Sequence, residues 1–335
     1  MDQPAMPTSA SPTAHRGQVW LGLLVLYFVW GSTYLGIAYA VETIPPFLMA
    51  AVRFALAGLV LLTWSIVRSR GEFVAPTRRE WRDSAIVGAM LLGGGMGMVA
   101  WGEQTIPSGI AALIIGLMPV WVAVLGRIFL GERLPRIAVL GIVIGFVGVG
   151  ILVAPTIAGE SGALDPLGLV ALVISPISWS AGSLFASHRA TLPKQPLVAT
   201  GVQMVTGAMV LFVMALLAGE PARFDPAAVS RNSLVALAYL TIIGSLLAFT
   251  VYGWLLRVAP LPFIATYAYV NPVVAVILGT VVRNEPLDPR TIVAGAVIVG
   301  AVALIVTARG RMAAPRSQEA PEPERRPRGE AAAAG

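Results

Sequence analysis

The stretch Trp101–Glu132, WGEQTIPSGIAALIIGLMPVWVAVLGRIFLGE, returns as Trp254–Glu285, WLLRVAPLPFIATYAYVNPVVAVILGTVVRNE. Trp101, Pro107, Pro119 and Glu132 recur as Trp254, Pro260, Pro272 and Glu285, each pair 153 residues apart with no gap. In both copies the acidic residue is followed by Leu (Leu134, Leu287), Pro (Pro135, Pro289) and another apolar run. Any two hydrophobic helices share Leu and Val by composition alone. Rare Trp and Glu in register with Pro are different, and they mark an internal duplication.

The surroundings of both copies are apolar. Hydrophobic residues make up 57% of the chain and charged ones 12%, with a mean hydropathy of +0.80. Apolar runs of about twenty residues succeed one another with short polar breaks, each long enough as a helix to cross a hydrocarbon core of about 30 Å. Backbone amides in lipid must bond within the segment, so these runs are helices. No alternating strands of the membrane-barrel kind occur. The sequence therefore predicts an all-α polytopic membrane protein.

Ten spans are expected: about 19–40, 46–67, 84–102, 108–130 and 135–154, then 166–187, 196–218, 233–258, 261–282 and 289–307. Residues 1–18 and 308–335 are Pro-rich and polar and are expected to be a disordered lead and a disordered tail. A hinge near 155–165 separates a first repeat, 19–154, from a second, 166–307. The first run is too long for a signal-peptide core and should remain as a span. Five spans per repeat force the second copy to start on the opposite side of the membrane, so the halves are inverted about an axis in the membrane plane.

Charge sets the orientation. Of 23 basic residues, Arg223, Arg231, Arg283 and Arg290 fall on one side and Arg53 falls inside a span; the other eighteen fall on the side of the termini. Basic loops stay cytoplasmic, so both termini are expected inside. One lysine among these residues, with abundant Ala, Gly and Pro, suggests a GC-rich bacterial genome and hence an inner membrane. The net charge of +6 is explained by these loops rather than by nucleic acid, since no basic patch interleaves with aromatics. There is no cysteine, and the two histidines, His15 and His188, make no metal pair. Catalytic signatures are missing as well, so neither an enzyme nor a cofactor is expected.

Arg53 is the one charge expected within the hydrocarbon. It either snorkels about 10 Å to the interface or serves structure, gating or a substrate anion. All seventeen Asp and Glu residues fall in loops, tails or span ends, which predicts facilitated transport or exchange without a membrane-embedded proton carrier. Glu132 and Glu285 are expected to favour the N-termini of the Pro-started spans beside them. Pro119, Pro176 and Pro272 interrupt spans and allow bends. Gly93 with Gly97, and Gly141 with Gly145, have the spacing that lets helices approach closely.

Aromatic and polar side chains at helical spacing are expected to line a midplane cavity: Trp30, Tyr34, Met98, Trp101, Trp179, Ser183, Tyr252, Tyr267 and Asn271. Trp20, Trp64 and Trp81 fit an interfacial belt instead. Such a cavity would hold a small amphipathic solute by stacking and hydrogen bonding.

Ten spans in two inverted repeats, with Trp30-Gly31-Ser32-Thr33 early in span 1, resemble the drug/metabolite transporter superfamily. Arg53 early in span 2, and Pro followed by Glu closing spans 4 and 9, resemble its EamA branch, and the resemblance covers about residues 19–307. Within that branch the chain is similar to the YddG-type exporters of aromatic and other neutral amino acids. The resemblance implies an exporter of a small metabolite; alternating access through the central cavity, and a monomer bounded by lipid, are the expectations that go with the span pattern. The alternatives are a broad exporter of drugs or organic cations and an intramembrane enzyme acting on lipid. The second half departs in one respect: Val202 or Gln203 stands opposite Arg53, so the charge is not duplicated.

Overall fold

The computed structural model describes residues 16–313 apart from 70, 72, 160–163 and 260. The described residues are helices joined by short turns. Span 1 is α1 (Arg16–Ala40) and span 2 is α2 (Pro46–Arg68). Span 3 is α3 (Arg78–Gly88), a π-helical stretch (Ala89–Gly97) and α4 (Met98–Gly102). Span 4 is broken into α5 (Ser108–Ile115) and α6 (Met118–Leu130), and span 5 is α7 (Arg136–Ala158).

The second half repeats the order. It comprises α8 (Pro166–His188), α9 (Pro196–Leu217) and a short α10 (Glu220–Arg223). Span 8 is α11 (Arg231–Tyr239), a second π-helical stretch (Leu240–Leu247) and α12 (Ala248–Val258). Span 9 is again broken, into α13 (Leu261–Ile264) and α14 (Tyr267–Arg283), and α15 (Pro289–Ala313) closes the bundle. Among the described residues nine helices are long and apolar enough to cross a membrane, and Tyr267–Arg283 is a shorter tenth.

Three boundaries differ from expectation. The first helix starts at Arg16, and α15 runs on to Ala313, so 308–313 are helical rather than tail. The rest of the expected lead and tail lies outside the described residues. The expected hinge begins later too, because α7 continues through Pro155 to Ala158. Pro155 is tolerated there within an otherwise apolar helix whose other turns stay bonded.

Corresponding helices of the two halves pack on each other antiparallel, as an in-plane two-fold axis requires. α2 meets α9, where a Cβ on Gly58 would lie 3.0 Å from the Gly201 carbonyl and one on Gly201 would lie 3.2 Å from the Gly58 carbonyl. α7 meets α15, where a Cβ on Gly141 would lie 2.7 Å from Ile305. Gly93, Gly97 and Gly145 likewise face neighbouring helices, at Val210, Leu211 and Leu117. Close backbone approach through glycine is how helices gain packing where lipid removes the hydrophobic incentive. The outward faces carry apolar side chains such as Leu56, Trp64, Val143, Phe212 and Val281, as a lipid-bathed surface should.

Interrupted helices sit in both halves, but not symmetrically. Pro119 stands at the start of α6, just after the break in span 4, whereas Pro272 lies inside α14 and packs on Gly116 at that break. Pro176 lies inside α8. The two ends of the bundle can be named by what they carry: the terminal end holds the starts of α1 and α7, and the opposite end holds the 41–45 and 103–107 turns.

A Cβ added at Gly58 would also fall 2.9 Å from the Met204 Cβ. Gly58→Ala should cost about 1–3 kcal/mol through overpacking, seen as a lower melting temperature in detergent. Gly150→Ala, which meets no atom within 4 Å, should melt at or slightly above the parent.

Candidate functional site

Between the halves lies a cavity of about 760 Å³, its mouth included. Its wall holds Trp30, Tyr34, Trp179, Tyr267 and Asn271, five of the nine residues expected to line one, together with Arg53 and Pro176. Trp30 is the hub of an aromatic cluster. Its ring lies 4.9 Å from Tyr267, 5.2 Å from Tyr252 and 5.8 Å from Phe249, tilted or edge-on to each. Such edge-to-face arrangements fix ring orientation and leave flat apolar surface for a guest. Across the cavity Trp179 is seated on Gly95, where a Cβ would meet its ring at 2.9 Å.

Arg53 does not snorkel. Its residue is 3% exposed, its Nε donates to Ser245 Oγ at 3.0 Å, and its guanidinium carbon lies 4.8 Å from the Phe54 ring centroid. None of the described residues accepts a hydrogen bond from its Nη groups. Gly244 makes room for the guanidinium, since a Cβ there would approach Nη2 to 3.3 Å. Asn271, its amide oriented by the surrounding network, donates from nitrogen to the carbonyls of Tyr27 (3.3 Å) and Tyr267 (3.2 Å).

The model of the EamA-like transporter family matches residues 17–154 and 166–307. The chain belongs to the EamA-like transporter family. It is therefore a multi-pass membrane transporter of the drug/metabolite superfamily. Among similar proteins is YedA of Escherichia coli strain K12, named an uncharacterized inner membrane transporter; it is 37% identical over 284 residues, covering 84% of this chain and 89% of YedA. The protein PecM of Dickeya dadantii is 26% identical over 279 residues, 83% of this chain and 88% of PecM. A solved crystal structure, 22% identical, superposes with a TM-score of 0.59 over 90% of this chain and all of its own, so the fold is shared.

In this EamA-like transporter the remaining expected residues lie elsewhere. Tyr252 touches Trp30 and stands 6.1 Å from Tyr267, behind the wall. Met98 packs in the apolar cluster around Phe47 and Leu211. Trp101 joins that cluster and borders a second, polar recess at the 41–45 end with Gln104, Glu220 and Arg223. Ser183 donates to the Trp179 carbonyl at 2.8 Å. In their place Met96 and Val99 line the cavity from span 3, and Phe249 and Gly244 line it from span 8. The π-helical stretches cause the change of face. Each wider turn rotates the next part of its helix, so a regular 3.6-residue period misplaces the residues beyond it.

Both signature glutamates also do something other than expected. Glu285 caps neither α15 nor its own helix. Its carboxylate accepts from Ser108 N (3.0 Å), Ser108 Oγ (2.8 Å) and Gly109 N (3.1 Å), at the start of α5 in the other repeat. Three donors at a helix N-terminus are the natural place for a carboxylate, but the helix that needed it lies across the bundle because α5 starts with no side-chain cap of its own. Beside it Arg283 Nη1 donates to Glu42 Oε1 at 2.8 Å, tying the end of α14 to the 41–45 turn. Glu132, the counterpart at the terminal end, pairs with Arg309 at 2.6 Å and caps no described helix. The two ends are thus tied differently.

A third acid, at a span end as expected, is nevertheless buried within the protein. Glu103, one residue past Gly102 and so at a span end by sequence, is 6% exposed, because the turn it starts is covered by neighbouring helices. Neither carboxylate oxygen has a hydrogen-bond partner among the described residues. Glu220, by contrast, is buried but satisfied, accepting from the amides of Phe47 and Leu48 at the start of α2.

Glu285→Ala would leave two amides at the start of α5 unpaired. It should lower stability by about 1–3 kcal/mol, read as a drop in melting temperature, with Glu285→Gln falling between the variant and the parent.

Proposed function

We propose that this protein exports small zwitterionic metabolites, aromatic and other neutral amino acids first among them, across a bacterial inner membrane. The observation that carries this reading is Arg53, a fixed guanidinium with spare donors in a wall otherwise built from Trp30, Phe249, Tyr267 and Trp179. Arginine matches a carboxylate in charge and fork geometry, and the rings match an aromatic side chain. A cationic drug would meet the same buried positive charge and be repelled, which speaks against the organic-cation reading. The inner-membrane placement follows the name of the relative YedA, and the basic-loop bias puts both termini in the cytoplasm. On that orientation the end sealed by Glu285 and Arg283 faces outward. Alternating access then consists of breaking that seal while the terminal end closes, with the helix breaks in spans 4 and 9 as moving parts. The protein works as a monomer in lipid and needs no cofactor.

Uptake of labelled phenylalanine into proteoliposomes preloaded with unlabelled phenylalanine tests the substrate. The parent should show counterflow, Trp30→Ala should lose most of it, and Arg53→Met should weaken apparent affinity by about tenfold or more, the size expected for a lost charge-assisted hydrogen bond. Equal counterflow by the parent and Arg53→Met would remove the role assigned to the guanidinium.

A further inference from the structure

Glu103 starts the 103–107 turn, which leads into the α5 start held by Glu285. Tyr34 on α1 and Arg53 on α2, both cavity-lining, lie within its electrostatic reach, as do Arg283 at the end of α14 and Glu285 just beyond it. Each of these charges is engaged elsewhere. Arg283 holds Glu42, Glu285 holds the start of α5, and Arg53 holds Ser245. Asp165, at the start of the packed helix α8, holds Gly168 and Thr105. The Ala38 backbone amide lies on the side that favours the ionised form, yet neither carboxylate oxygen has a hydrogen bond of normal geometry among the described residues. A bare carboxylate in such a place would be very costly, and taking a proton relieves the cost.

From this geometry we propose that Glu103 is a proton-binding site whose occupancy is tied to the 41–45 end: protonated while that end is sealed, ionised when it opens. The reaction is simple. On opening, the carboxyl O–H breaks and its proton passes to water entering the gap; on sealing, the carboxylate takes one proton back from that water. Burial raises the carboxyl pKa well above the ordinary carboxylate range, Glu285 adds to the rise, and Arg283 and Arg53 oppose it. A pKa raised in the sealed form stabilises that form fully below the ordinary carboxylate pKa, and the advantage is lost as pH rises through the raised value. Opening is therefore favoured as pH rises, by up to about tenfold per pH unit within that window. Exchange through the cavity, which rests on the transport reading above, must open this end in every cycle and so inherits the dependence.

Two readouts separate the proton site from the substrate. Infrared difference spectroscopy of the purified protein between acid and alkaline pH should reveal a protonated carboxyl band that persists at neutral pH and is missing in Glu103→Gln. Absence of that band from the parent at pH 7 overturns the proposal whatever is transported. Phenylalanine counterflow at equal pH on both sides should speed up with pH in the parent and be flat over the same range in Glu103→Gln, which mimics the protonated acid. A flat parent overturns the coupling. No phenylalanine counterflow with the band present rejects the substrate and keeps the proton site. If Glu103→Gln does not fold, the parent's own pH titration of the band still decides.

Discussion

The carboxylate of Glu285 on the start of α5 is the contact on which the arrangement depends. It joins the two repeats at one end, and it does so at a helix terminus that the chain leaves without a local cap. In a hydrocarbon setting a free helix start is expensive, since no water is at hand for its amides. The 103–107 turn delivers the chain to that start, and the acid of the opposite repeat satisfies it. The same carboxylate approaches Gly279 so closely that a Cβ there would come within 2.4 Å. Glycine at 279, serine at 108 and the Glu285 carboxylate are one device.

Inverted duplication supplies every part twice, yet the two ends are not in the same state. Gly126 stands to Glu132 as Gly279 stands to Glu285, but Glu132 finds Arg309 rather than a helix start. The in-plane axis exchanges the ends while the cavity stays between them, and here each end is tied between the repeats by its own glutamate with a different partner. The buried arginine breaks the symmetry in a second way. Arg53 belongs to the first repeat alone, so the cavity's charge comes from one half only, which orients an occupant as well as holding it.

Much of this was legible in the sequence. Register between Trp101–Glu132 and Trp254–Glu285 fixed the repeat, run lengths fixed the spans, and an odd span number fixed their inversion. Trp30, Tyr34, Trp179, Tyr267 and Asn271 were found because their helices keep a regular period up to the cavity. Met98, Trp101 and Tyr252 were misplaced because each comes after a π-helical stretch, and nothing in GGGMG or TIIGSLL announces the extra residue in the turn. Glu103 was missed for another reason. Burial of a residue at a span end is set by which helices cover it, and Tyr34, Arg53, Arg283 and Glu285 come from distant parts of the chain. The rotation of Arg53 toward Ser245 rather than lipid likewise depends on a helix about 190 residues away.

The chain has no cysteine, so an engineered pair can lock the seal without interference. A Cβ on Gly109 would lie 3.2 Å from the Val276 Cα, close enough for Gly109→Cys with Val276→Cys to bridge α5 to α14. The decisive measurement is phenylalanine counterflow by this double variant before and after oxidation. If the seal must part in every cycle, oxidation abolishes counterflow and reduction restores it. Counterflow that continues with the bridge formed would contradict the account, because solute would then be passing with the Glu285 end closed.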